Sequence, residues 1–226
     1  MLRPALLCCL AAALGAVDQP FDLGHFLMSA RSALDREAAG TWRTIPWQRD
    51  AATALATATR TGKPILVFIY ITVDAYLPGE SGTQVCLGGR ATRGAVLSDA
   101  AVIAALRDHF VCLHINCKTG GFPEVLPGLD LCREAYRRYA DPEAGFSTSC
   151  VLTPDGGHLL GTSGIGSIPT YRNSACYDPV KYRKFLEESS ERGQRWKRSD
   201  SAGRKSISSE VLLAAIAASS GQDGPR

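Results

Sequence analysis

No CxxC pair occurs anywhere in the 226 residues, and no group of cysteines and histidines has the spacing of a zinc site. The four histidines, His25, His109, His114 and His158, are scattered, so neither a metal nor any other cofactor is expected. Charge of one sign is lacking too. Lys and Arg number 25 against 22 Asp and Glu, and the resulting +3 is too small to draw the chain to nucleic acid. Beyond the N-terminus no apolar run reaches the length that spans a bilayer, since Val211 to Ala217 is far too short. Asp74, Glu80 and Asp99 form no convincing acid–base pair and no Ser-His-Asp arrangement is visible, which argues against a hydrolase.

The N-terminus does carry a pattern. Arg3, the apolar run Ala5 to Leu14 and then Gly15-Ala16 read as a secretory leader over residues 1–16. The expected address is therefore exported, periplasmic or secreted, with no stable membrane span once the leader is removed. Cleavage discards Cys8 and Cys9 and leaves Cys86, Cys112, Cys117, Cys132, Cys150 and Cys176. An even number in an exported chain permits disulfides, with the pairing open.

A buried strand organises the rest. Lys63-Pro64 opens Ile65-Leu66-Val67-Phe68-Ile69-Tyr70-Ile71, apolar without alternation, as in a strand covered on both faces. Its C-terminal end leads through a Gly- and Pro-containing loop to Cys86. Before it, Phe21 to Arg36 has helical spacing, and an Ala-rich helix runs from an Asp50 cap to Gly62. After it come a helix from Ser98-Asp99, a strand over Phe110 to Cys117 and a helix over Leu129 to Tyr139. A strand over Thr148 to Thr153 then turns at Pro154-Asp155-Gly156-Gly157 and pairs back over His158 to Gly161. Tyr177 to Glu191 is amphipathic, with Val180, Phe185 and Leu186 on one side. Gly193 to Ser209 is rich in Ser, Arg and Lys and reads as mobile. Trp42 and Trp47, bracketing Pro46, read as packing residues.

The order of elements, with Gly62-Lys63-Pro64-Ile65-Leu66-Val67, Val96-Leu97-Ser98-Asp99, Gly145-Phe146-Ser147-Thr148 and Pro154-Asp155-Gly156, resembles the exported thioredoxin-like domains. That resemblance implies an α/β three-layer sandwich with a mixed central sheet and helices on both faces. It divides the chain into a leader (1–16), an N-terminal extension (17–46), a thioredoxin-like domain (47–192) and a flexible tail (193–226). In such a family the first active-site cysteine lies ten residues before the equivalent of Val96, which here is Cys86. The second cysteine falls on Gly89 and the facing proline on Ser147, so the motif is degenerate.

The resemblance implies thiol–disulfide exchange with Cys86 as nucleophile and protein thiols or disulfides as partners. Arg90 and Arg93 are placed to lower its pKa, while Gly88, Gly89 and Gly94 weaken the helix start. Cys117 is a candidate resolving thiol, with glutathione or another protein thiol as substitutes. Ser147 and Thr148 form the substrate-facing edge. The competing reading is a binding or adaptor module, with an unidentified protein partner, whose cysteines are structural. Cys86 is then bridged to Cys117 or Cys176, and a Cys117–Cys132 bridge is a further option.

Overall fold

The computed structural model describes residues 23–70, 87–117, 121–133, 147–163 and 177–220. Among the described residues four strands build one mixed sheet: β1 (Ile65–Tyr70), β2 (Val111–Asn116), β3 (Ser147–Leu152) and β4 (Leu159–Thr162). Their order is β2-β1-β3-β4, with β1 parallel to β2 and antiparallel to β3, and β3 antiparallel to β4. That order and polarity are those of the thioredoxin-like fold, as the sequence implies. The central strand is apolar throughout because both its faces are covered: Ile65 to Ile69 are all solvent-inaccessible.

Local signals fix the helices. In α2 (Ala51–Thr61) the Asp50 carboxylate accepts the Thr53 N–H at 2.7 Å. Gly62, at φ 67°, ends that helix in the left-handed region open to glycine. Asp99 accepts the N–H groups of Ala101 and Val102 at 3.0 Å and starts α4 (Ala100–His109). Asp178 does the same for Val180 and Lys181, with Pro179 in the first turn of α5 (Pro179–Arg198). On α5, Tyr182, Phe185, Leu186 and Ser189 face inward at spacings of three and four, whereas Val180 is exposed. The inward grouping expected for Val180 fails because of helical phase: two residues before Tyr182, it lies about 160° round the helix from the stripe of Tyr182, Phe185, Leu186 and Ser189.

Two cores follow from the pleat. Leu66, Phe68, Cys112 and Val151 project to one face, under α4, α5 and a further helix, α3 (Leu87–Ala95). Ile65, Val67, Ile69, Leu113, Cys150 and Leu152 project to the other, under Ala54 and Ala58 of α2 and under Leu126, Leu129 and Cys132. Cys132 belongs to a helical turn at residues 130–133, behind the 3-10 turn Pro127–Leu129.

The expected flexible tail is corrected. Residue 193 lies inside α5, and α6 (Ser201–Ser220) follows. Arg195, Lys197 and Arg198 complement the negative end of α5, so the basic composition supports a helix terminus. On α6, Ile207 enters one core and Val211 the other. Between them the Ser208 hydroxyl accepts the Leu159 N–H at 3.1 Å and donates to the Leu159 carbonyl at 3.3 Å. At the opposite side of the sheet, Trp47 bridges β2 at Cys112, and the Gln48 N–H donates to the Cys112 carbonyl at 2.7 Å.

The N-terminal extension also joins this body. In α1 (Leu23–Ala38) the backbone passes so close to α3 that a Cβ on Gly94 would lie 1.6 Å from the Ala33 carbonyl oxygen. Arg36 Nε donates to the Gly94 carbonyl at 2.9 Å across the same contact. Gly94, a poor residue for a free helix, thus allows the closest packing of α3, and α3 forms through its glycines.

Candidate functional site

Register gathers several of the expected site residues at the C-terminal end of β1. Tyr70 pairs with Asn116 on one side and with Ser147 on the other. The Cys117 N–H donates to the Tyr70 carbonyl at 2.9 Å. Thr148, fully buried, lies opposite Ile69, its hydroxyl 3.4 Å from that of Thr162. Cys86 and Cys176 lie outside the described residues, as does Phe146 before Ser147. Helix α3 begins at Leu87, immediately after Cys86 in sequence. Arg93, in the last turn of α3, holds its guanidinium 5.4 Å from the Tyr70 ring, which brings the C-terminal part of α3 to the end of the sheet where β1 stops.

Arg90 and Arg93 converge on one carboxylate. Arg90 Nε donates to Glu37 Oε2 and Arg93 Nε to Glu37 Oε1, each at 3.1 Å. The Arg93 side chain is 2% exposed and that of Glu37 4%, against 30% for Arg90. The Arg93 guanidinium lies 5.1 Å from the Trp42 ring and 5.4 Å from the Tyr70 ring. Burial lowers the Arg93 pKa and the Glu37 charge raises it in return. A guanidinium remains charged through such opposition, so among the described residues Arg90, Arg93 and Glu37 bring two positive groups to one negative. Arg43 adds a third cation 5.0 Å from the Trp42 ring.

Glu37, Trp42, Tyr70 and His114 complete this cluster. His114 makes an edge contact with Trp47, ring centres 5.4 Å apart, and lies 6.1 Å from Tyr70. Burial, and then the Arg93 charge, lower its pKa below 6.5. Among the described residues, His114 Nδ1 and Trp42 Nε1 are buried without a hydrogen-bond partner. The role of Glu37 had one sequence signal. It falls seven residues after Ala30 and three after Leu34, on the apolar side that the helical spacing of Phe21 to Arg36 predicts, where a charge needs a partner.

Cys117 is half-buried, and its thiol is pushed up to about 12 by burial first and by Cys132 second. Cys112 is likewise pushed up to about 12 by burial. Both are therefore protonated at neutral pH. Among the described residues no group of three His, Cys, Asp or Glu side chains is placed to hold a metal. None of the described helices is long and apolar enough to cross a membrane.

No family model matches the chain, and no curated protein does. Among solved structures, a disulphide isomerase from Xylella fastidiosa Temecula1 aligns at 19% identity with a TM-score of 0.33. The alignment covers 66% of this chain and 96% of that one.

Proposed function

We propose that the chain is an exported thioredoxin-like protein that carries out thiol–disulfide exchange through Cys86. The observation that carries the reading is positional. Helix α3 starts directly after Cys86 in sequence, and Arg93 in its last turn lies against Tyr70, which Cys117 and Ser147 flank at the end of β1. A thiolate ahead of a helix N-terminus is stabilised by the unpaired N–H groups of the first turn. Cys86 then attacks one sulfur of a substrate disulfide and expels the other as a thiolate. With Gly89 in place of a second cysteine and Cys117 protonated, the mixed disulfide is resolved by a thiol of another molecule, glutathione or a protein.

One observation favours the rival reading, a binding module whose cysteines are structural. Both arginines of α3 are held by Glu37, which offsets part of the positive potential that a thiolate there would use. Alkylation followed by peptide mapping, with and without reduction, decides between them. Exchange chemistry requires Cys86 to label in the native protein. A Cys86 that labels only after denaturation and reduction rules it out. In an insulin-reduction assay with glutathione, Cys86→Ala should lose the activity; turnover equal to wild type would remove Cys86 from the mechanism.

A further inference from the structure

Two sulfurs meet in the interior of the α2-covered core. Cys150 is in the middle of β3, opposite Val67 of β1, and is fully buried. Cys132, on the helical turn 130–133, is 1% exposed. Their Sγ atoms are 3.0 Å apart, with one thiol donating to the other. That is inside the usual separation of non-bonded heavy atoms, about 3.5–4.0 Å. The two residues come from elements that the fold presses together, since Leu129 and Cys132 share an apolar core with Cys150 and Leu152. Neither sulfur serves the exchange chemistry proposed for Cys86.

We propose that Cys132 and Cys150 are a disulfide-forming pair that cross-links the turn 130–133 to the central strand β3. The oxidant is a disulfide donor, either oxidised glutathione or a protein disulfide. The Cys132 thiolate attacks one donor sulfur and expels the other as a thiolate, leaving a mixed disulfide. The Cys150 thiolate then attacks Cys132 Sγ, forms the internal bond and releases the second donor thiolate. The two protein thiols give up two protons and two electrons, and the donor disulfide becomes two thiols. Because both sulfurs are buried, the exchange takes place before the turn closes on the sheet during folding, or when it opens locally. The bond closes a covalent ring through residues 132–150, which includes Ser147, the partner of Tyr70 at the start of β3.

The test uses the full chain, purified reduced and equilibrated with a mixture of reduced and oxidised glutathione. Free thiols are blocked in denaturant and the protein is digested with trypsin. The expected product is peptide 119–133 joined to peptide 139–172, with a melting temperature roughly 6–12 °C above that of the reduced protein. Cys132→Ala and Cys150→Ala should each abolish the linked product and the temperature difference. Cys86→Ala should retain both, which separates this test from that of the Cys86 reading. Recovery of both peptides alkylated overturns the proposal, as does 119–133 joined to 108–118, the peptide that holds Cys112 and Cys117. The wild-type map decides the matter even where a variant fails to fold.

Discussion

The two faces of the sheet are built from different chemistry. Under α2 the packing is aliphatic, with Ala54 and Ala58 against Ile65, Val67, Leu113 and Leu152, joined by the thiols of Cys132 and Cys150 and, by strand alternation, the buried hydroxyl of Thr148. Under α3, α4 and α5 the aliphatic core gives way towards the end of β1 to Arg93, Glu37, His114, Tyr70 and Trp42. Deeper on that same face, the Tyr182 hydroxyl donates to Ser149 Oγ at 2.7 Å. One face is held by shape and the other also by paired polar groups. Paired groups specify geometry, but each becomes a liability when its partner is lost.

Glu37→Ala attacks that difference most directly, because it removes the carboxylate that Arg90 and the buried Arg93 share. A loss of about 3–5 kcal/mol in urea unfolding is expected, and a double variant that also replaces Arg93 with Met should recover part of it. If Glu37→Ala costs no more than a surface substitution, the contrast between the faces is overstated. On the aliphatic face Leu152→Ala should cost about 2–4 kcal/mol through cavity formation alone, with no pH dependence. Tyr182→Phe leaves the Ser149 hydroxyl without its donor and should cost about 1–2 kcal/mol by the same measurement.

The smallest effect is a pH response. The folded His114 has its pKa held below the ordinary 6.5, so on acidification the unfolded chain takes up the proton first. Stability therefore falls as pH drops below 6.5 through the folded value, and is fully present above it. Urea midpoints at pH 7 and pH 5 should differ more for wild type than for His114→Gln. Equal differences would exclude His114 as the source.

How far the sequence discloses this molecule depends on the range of the forces involved. The strands, the Asp50 and Asp99 caps and the Pro154-Asp155-Gly156-Gly157 turn are legible because neighbouring residues create them. Arg90 and Arg93 are visible as cations beside Cys86, but their carboxylate lies 53 and 56 residues away on another helix. No local pattern announces that pairing. Glycines in α3 look like helix breakers until α1 is laid against Gly94. The polar tail misleads for a similar reason, since the inward residues of α6 among those described are Ile207, Ser208 and Val211, spread through a polar segment. Cys132 reads naturally as a partner for Cys117, its neighbour in sequence, whereas the fold brings it to Cys150.

The Ser208 clamp on Leu159 limits how a peptide could bind. An extended ligand often joins a sheet as one more strand, using the outward N–H and C=O groups of the outermost strand. At Leu159 both groups are already bonded to a serine hydroxyl, and α6 is packed over them. A peptide partner would have to displace that helix to add itself beside β4. The clamp does not involve the end of the sheet where β1 stops at Tyr70 between Asn116 and Ser147.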